Sequence, residues 1–459
     1  MVNAAKHPNI TLYTYSDVVE FKGNPGNYRV KIRKNPRFID EHKCTGCGLC
    51  TTKCPVKVPS EFDRGIGERS AIYIPFPQAV PKLAVMDKSV CIDCKMCERT
   101  CPAEAINFEQ ETEYVELTVG AVVVATGYDE YPIWEHNDYN YGIYPDVITQ
   151  IELERMLSPI GPTGGHLYKI SDVKTPKTVV MVQCVGSRDV KALPYCSAVC
   201  CNVALKNAQL LKQEYPDMDI ILFYIDIRTT DKGNEEYYRK IREIGIRMIR
   251  GKVGEIIEDK DLNKLNVRAY SSLTGEIVTI KADLVVLSTG MIPSKGTESI
   301  IEVMGLSRGP NGFLTEIHGC LSPQETKDNG IYICGCATGP KNIPYSVSSA
   351  LAAASKASIL LSSDTFSQEL IIVEVDEELC MGCHRCEKLC SYKAIKVNEQ
   401  GIAEVDDLKC KGCGVCVSSC PARAIDLKYY REKQFSEQIK GIGSYEIEIT
   451  EEVSEVMEK

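Results

Sequence analysis

The sequence predicts an α/β fold: a body of alternating strands and helices that carries two small cysteine-rich α+β modules. Three observations predict it. The spacing C-x2-C-x2-C-x3-C occurs four times, in two close pairs. From Thr178 to Gly290, apolar runs of strand length alternate with helical patterns. A strand pattern that stops before the first cysteine pair resumes after it, so that pair reads as an insertion and the second as a C-terminal addition.

The four runs are Cys44, Cys47, Cys50 and Cys54; Cys91, Cys94, Cys97 and Cys101; Cys380, Cys383, Cys386 and Cys390; and Cys410, Cys413, Cys416 and Cys420. This is the bacterial ferredoxin spacing for [4Fe-4S] clusters. Three thiolates two residues apart wrap a tight loop round one cubane, and the fourth leaves the loop to ligate the neighbouring cluster. One cluster is therefore assigned to Cys44, Cys47, Cys50 and Cys101, and its partner to Cys91, Cys94, Cys97 and Cys54. In the second module the sets are Cys380, Cys383, Cys386 and Cys420, and Cys410, Cys413, Cys416 and Cys390. Structural zinc and secreted disulfides are the competing readings. Zinc motifs do not usually repeat this run, and nothing in the chain looks secreted. Ser391 stands where proline follows the other three fourth cysteines; it touches the turn, not the ligand set.

A length of 459 residues suggests two to four domains. The net charge of −10 argues against nucleic acid and anionic membranes as partners. Twenty-three cysteines without a signal peptide point to a reducing cytoplasm and bound metal; clusters of this kind usually imply an oxygen-poor setting. No apolar run reaches membrane-spanning length; those near Leu284–Leu287 and Ala350–Leu361 are short or broken.

In chain order, residues 8 to 32 alternate apolar and polar and read as strands joined by a Gly-Asn-Pro-Gly turn. The first module follows from about Pro36 to Glu109. Between its two runs lies a long insert rich in aromatics and prolines, read as an ordered loop that either docks something or packs on its own module. Residues 114 to 128 resume the strand and end in Ala125-Thr126-Gly127, like the exit strand of many two-dinucleotide flavoproteins. Next come a strand at TVVMVQCVG, a helix from Ala198 to Glu214, a strand at DIILFYID, a helix at NEEYYRKIREIG and a strand at IRMIRGKV. A hairpin leads into ADLVVLSTG, which closes the unit at Gly290. The turn after the first of these strands reads Gln183-Cys184-Val185-Gly186-Ser187-Arg188 and lacks the G-x-G-x-x-G that lets backbone amides approach pyrophosphate, so NAD(P) is not expected there. Residues 330 to 345, GIYICGCATGPKNIPY, read as a strand and a glycine turn at a helix start. Gly335, Ala337, Gly339, Ile343 and Pro344 there suit a flavin's phosphate or ribityl chain. The second module runs from about Leu370 to Tyr430, and an acidic tail follows as a solvated strand and short helix.

A fifth, irregular set consists of Cys184, Cys196, Cys200 and Cys201, near one strand–helix junction. A fifth cluster, a redox-active pair and buried inert thiols all fit the spacing. A helix N-terminus would favour thiolates in the first two. Cys320, Cys334 and Cys336 read as small buried residues. The histidines are scattered; His42 and His384 lie near or within cluster motifs, and surface placement is the plainer reading.

The inserted double-cluster module, QCVGSRD, PYCSAVCC, GCATGPKNIP and the C-terminal double-cluster module together span nearly the whole chain, and the combination resembles the flavin-containing A subunit of heterodisulfide reductase from methanogens and related anaerobes. The resemblance implies a thioredoxin-reductase-like, two-dinucleotide-binding flavoprotein body that binds FAD. Residues 1–35 and 110–177 would form part of the FAD domain, 36–109 the inserted 2[4Fe-4S] module and 178–292 an NAD-domain-like unit. Residues 293–366 would return to the FAD domain, 367–432 would be the C-terminal 2[4Fe-4S] module and 433–459 the tail. It implies a cluster on Cys184, Cys196, Cys200 and Cys201, and places Lys206 near the flavin N5. Thr126, Gly127 and Gly290 would join the flavin contacts. It implies B and C subunits, a hydrogenase or formate dehydrogenase input module, ferredoxin and a homodimer as partners. The activity implied is bifurcation of electron pairs between a disulfide, CoM-S-S-CoB in methanogens, and ferredoxin.

The family begins with a further domain and a G-x-G-x-x-G unit, and this sequence starts beyond both. Either the missing half is a separate chain, or Met1 is an internal methionine downstream of a selenocysteine codon misread as a stop. Two other functions follow from the same residues: an iron–sulfur electron wire without its own flavin, and an NAD(P)H-dependent flavo-iron–sulfur oxidoreductase.

Overall fold

The computed structural model describes residues 2–135, 139–363, 365 and 371–443. Its largest sheet has seven strands, in the order Val147–Thr149, Leu284–Thr289, Thr178–Val185, Asp219–Tyr224, Arg247–Asp259, Lys264–Ser271 and Ile277–Ala282. The first five pair in parallel and the last two continue as an antiparallel meander. The parallel strands are nearly continuous Val, Ile, Leu and Met because both faces are covered. On one face Val179, Met181, Ile220 and Leu222 meet Ala204, Leu205, Ala208 and Leu211 of the Cys200–Glu214 helix. On the other, Val180, Val182, Ile221 and Phe223 meet Val253, Ile256 and Val267 of the meander. Each such side chain removed from water contributes about 1.5–3 kcal/mol, so the strand ends carrying Cys184 and Gly290 are rigidly held.

The 13-residue strand Arg247–Asp259 serves both parts, with a register shift at Val253/Glu255 where it bends from the parallel sheet into the hairpin. The sequence pattern shows only its first part as a strand. Two elements between residues 129 and 177 do not stand out in the sequence: the edge strand Val147–Thr149 and the helix Gln150–Leu157, which a Thr149–Glu152 capping box starts.

A three-stranded antiparallel sheet pairs Ser16–Asn24, Asn27–Lys34 and Glu113–Val119. Residues 8–15 are not a strand, contrary to the alternation there: Ile10, Leu12 and Tyr15 stay exposed, with no sheet to receive them. The run 114–128 is not one strand either. It breaks at Gly120, and Val122–Val124 pairs in parallel with Ile331–Ile333 in a separate two-stranded sheet. Helix Ile343–Leu361 packs Ala353 and Ala357 toward this pair and leaves Ile343, Val347, Leu351 and Ile359 exposed.

The inserted module contains two short helices, Leu49–Lys53 and Met96–Thr100, and the C-terminal module Arg385–Leu389 and Val415–Ser419. The insert is ordered by the strand pair Lys57–Pro59 and Glu68–Ser70. It reaches the body through Asp63, 2.8 Å from Arg155, whose guanidinium also lies 4.4 Å from the Phe62 ring centroid. Arg64 pairs with Glu130 at 2.9 Å. Glu432–Gly443 is helical; the rest of the expected tail lies outside the described residues. Among the described residues, no helix is long and apolar enough to cross a membrane.

Candidate metal centres

Each regular run winds through two left-handed residues. One precedes the second cysteine (Gly46, Asp93, Gly382, Gly412) and one precedes the helix that carries the third (Gly48, Lys95, His384, Gly414). Reversing handedness twice in three residues turns the chain around a point and aims three sulfurs inward. The fit is tight at Gly46, where a Cβ would lie 2.2 Å from the Lys82 carbonyl oxygen.

The sulfurs converge across the runs. Cys44, Cys47, Cys50 and Cys101 line one cavity, and Cys54, Cys91, Cys94 and Cys97 another. Cys380, Cys383, Cys386 and Cys420 line a third. Cys416 faces Cys410, Cys413 and Cys390. Burial pushes the Cys50 and Cys416 thiols up to about 11, and the neighbouring cysteines add to it. Without metal such thiols stay protonated at neutral pH; as thiolates they would need the positive charge that a bound metal supplies. Among the described residues no three His, Cys, Asp or Glu side chains are close enough to hold a single ion. The quartets instead surround a space, which suits a cubane.

The irregular set also assembles. Cys184, next to last in its strand, is left-handed (φ 62°) and buried. Cys200 and Cys201 open the helix Cys200–Glu214, which begins two residues later than the pattern suggests, and Cys196 lies in the preceding loop. Cys200 faces Cys201, Cys184 and Cys196, and burial raises its pKa strongly. The loop between strand and helix is no phosphate turn. Ser187 and Leu193 form a bridge, Ser187 and Ser197 hydroxyls are 2.7 Å apart, and Ser197 Oγ accepts the Met291 N–H at 2.9 Å. Gly186 (φ +74°) sits on Tyr131 with no room for a Cβ. Gly290 abuts Ser187 and Leu193, so it belongs to this loop.

A cavity of about 500 Å³ opens beside the irregular set, lined by Ala198, Asn202, Asp231, Lys341, Asn342 and Ser349, among others. Its size is within the range of cofactor sites. Asn202 lines the cavity, and its Oδ1 is buried away from solvent without a hydrogen-bond partner. Burial lowers the pKa of Lys341. The glycine turn expected to serve a flavin is placed differently. Gly335 N–H donates to Ser349 Oγ at 2.7 Å and Gly339 N–H to the Cys336 carbonyl at 3.2 Å. Ala337 is fully buried, and Ile343 and Pro344 face solvent. Thr126 Oγ1 is 2.7 Å from Thr297 Oγ1, and Gly127 is left-handed. Lys206 pairs with Glu154 and does not line the cavity. Sequence reasoning misses Asn202, Asp231, Lys341 and Asn342: they come from three distant segments, and only the NIPY helix start hints at the cavity. Cys334 is buried, but Cys320 is exposed, which corrects its reading as a buried small residue.

Known proteins agree with the cysteine geometry. A 4Fe-4S dicluster domain matches residues 373–427, and 4Fe-4S binding domains match 37–60 and 88–109. The iron-sulfur A subunit of CoB--CoM heterodisulfide reductase from Methanocaldococcus jannaschii is 48% identical over 447 residues, covering 96% of this chain and 68% of that protein. The chain belongs to the heterodisulfide reductase A-subunit family. The A subunit of the H(2):CoB-CoM heterodisulfide,ferredoxin reductase of Methanothermobacter marburgensis is 46% identical over 87% of this chain and 61% of its own length. The A subunit of the Ferredoxin:CoB-CoM heterodisulfide reductase of Methanosarcina mazei is 41% identical over 86% of this chain and 50% of its own. This A-subunit homologue thus spans roughly half to two thirds of the curated relatives it matches. A thioredoxin reductase from T. acidophilum is 16% identical, covering 65% of this chain and 86% of that one, with a TM-score of 0.34.

Proposed function

We propose that the chain is an electron-transfer subunit of a heterodisulfide reductase-type complex, holding five [4Fe-4S] clusters on its five cysteine quartets and contributing one wall of a flavin site. The observation that carries this reading is the adjoining pair of features at Ala198: the irregular quartet on one side and the cavity of about 500 Å³ on the other. When bound, clusters exchange single electrons and a flavin accepts pairs. In this reading Cys184, Cys196, Cys200 and Cys201 hold metal at the cavity's edge, Asn202 lines the flavin's side of the cavity, and Lys341 supplies positive charge beside it. Lys206 reaches a flavin only by leaving Glu154.

The finer proposal is bifurcation of electron pairs from a hydrogenase or formate dehydrogenase module between a disulfide and ferredoxin, with B and C subunits and a second copy as partners, in the cytoplasm. Support comes from the family, whose members' names include H(2)/formate-linked and ferredoxin-linked reductases. The two-stranded parallel sheet and the apolar face of helix Ile343–Leu361 favour completion of the flavin site by further polypeptide, since parallel sheets need cover on both faces. The wire reading draws on the internally bonded amides of Gly335 and Gly339.

Anaerobic isolation and reductive titration separate these. One FAD per chain, reduced by electron pairs and exchanging with the clusters, supports the proposal. Clusters without flavin leave the wire, and reduction by NAD(P)H would restore the pyridine-nucleotide reading.

A further inference from the structure

The residue before the second cysteine of each regular run is left-handed. In three runs it is glycine, and in each a Cβ would meet a carbonyl oxygen: that of Lys82 at 2.2 Å from Gly46, of Gly401 at 2.4 Å from Gly382, and of Ile371 at 2.1 Å from Gly412. In the fourth it is Asp93, at φ 51°. This conformation costs an L residue something that glycine avoids, and aspartate tolerates it better than most. The carboxylate so placed reaches back to the cluster loop: Asp93 Oδ1 lies 3.8 Å from Cys91 Sγ.

A second departure falls on the same quartet. The fourth cysteines Cys101, Cys390 and Cys420 each accept the backbone N–H of the alanine four residues on, Ala105, Ala394 and Ala424, at 3.3–3.4 Å. Among the described residues Cys54 has no such donor. The chain after it enters the strand Lys57–Pro59, and its sulfur faces the Val56 carbonyl oxygen at 3.9 Å. Cys54 and Cys91 line one cavity with Cys94 and Cys97, so both departures act on a single quartet. Where the other three present an amide proton it meets a carbonyl, and where they have glycine it has a carboxylate.

Lys88 limits the effect. Its Nζ pairs with Asp93 Oδ1 and lies 4.8 Å from the Phe108 ring centroid and 5.6 Å from that of Phe38, which fixes it against the module's core. Asp93 is 60% exposed, so water and salt screen it as well.

We propose that Asp93 acts through Cys91 to hold the reduction potential of the cluster on Cys91, Cys94, Cys97 and Cys54 below that of its neighbour on Cys44, Cys47, Cys50 and Cys101, and that Lys88 partly offsets it. This rests on the reading that both quartets hold clusters. Reduction adds one electron, and no bond forms or breaks. The added charge is opposed by a carboxylate beside a ligand sulfur and favoured by an amide donor to one. A ligating Cys91 is a thiolate with no proton to share, so its approach to Asp93 sets charge against charge. The inserted module then has a direction: an electron runs downhill from the Cys91 side to the Cys44 side.

The test uses the anaerobically isolated full chain, titrated with dithionite while electron paramagnetic resonance follows the clusters and iron is counted per chain. The signal lost with about four irons in Cys91→Ala marks the cluster concerned. Asp93→Asn keeps the size of the side chain and its tolerance of the left-handed backbone. In that variant the cluster's reduction constant should rise about threefold to tenfold, equivalent to about 28 to 59 mV for one electron. The rise should shrink as salt is added. In Lys88→Met the same constant should fall, and in both variants the neighbouring cluster should move less. A loosened loop would not give opposite signs. With full iron, no shift, or a shift of one sign in both variants, overturns the proposal. If Asp93→Asn loses iron, the sign in Lys88→Met decides alone. If Cys91→Ala loses no iron, the cluster reading itself has failed, and the proposal with it.

Discussion

Gly186→Ala is the sharpest single perturbation of the irregular quartet that touches no cysteine. A Cβ there would lie 2.3, 2.5 and 2.7 Å from three atoms of the Tyr131 ring, which is 6% exposed and locked in the sheet's core. The left-handed backbone adds about 1–2 kcal/mol for alanine, and overpacking adds about 1–3 kcal/mol. Together they destabilise the closed loop by about 2–5 kcal/mol. Loop opening precedes capture of iron by a chelator, so release should accelerate at least about 30-fold, since each 1.4 kcal/mol is tenfold. The assay is anaerobic iron release to a ferrous chelator, resolved into phases. One phase of about four irons should speed up while the remainder holds its rate. With Tyr131→Ala in the background, the glycine substitution should cost only the backbone part, about 1–2 kcal/mol. Unchanged release in Gly186→Ala, or uniform acceleration of all iron, would refute the idea that this turn guards a separate cluster.

Cys101→Ser should disturb the cluster sharing Cys44, Cys47 and Cys50 and spare the one on Cys91, Cys94 and Cys97, read as loss of one spectroscopic signature in the inserted module. Arg155→Ala leaves the Asp63 carboxylate largely buried without its cation; the insert should loosen by about 1–3 kcal/mol, seen as faster proteolysis near Phe62. Leu205→Ala, at a fully buried helix position, should cost about 2–5 kcal/mol in denaturant unfolding. Burial raises the Glu130 pKa against the opposing pull of Thr289 and Arg64. An acid with a raised folded pKa favours folding below its unfolded value and loses that contribution as pH climbs through the raised one. Glu130→Gln should therefore flatten a decline in stability on the alkaline side of the ordinary carboxylate range.

The parallel strands of the large sheet are legible because both of their faces are buried, so Thr178–Val185 and Leu284–Thr289 are apolar almost without interruption. Val147–Thr149 is not. Three residues are too few for a period, and the strand exists because Leu284–Thr289 offers it an edge. Residues 8–15 alternate but lack a partner strand, and alternation alone cannot supply one. Gly120 divides a run that reads as one strand because its halves join different sheets. At the metal centres, fixed spacing makes the regular runs visible without coordinates. Arg188 could not be recognised as the partner of Asp226, since their pairing depends on a left-handed residue and on a carboxylate 38 positions away. The cavity residues are hidden for the same reason: Asn202 and Lys341 come together only when their distant segments fold against each other.

Iron and acid-labile sulfide counted per chain, in the intact protein and in Cys200→Ser, test the five-cluster account most directly. The account predicts about twenty irons falling to about sixteen, with one paramagnetic signal lost and four retained. About sixteen in both proteins would contradict it, and would return Cys184, Cys196, Cys200 and Cys201 to the role of buried thiols.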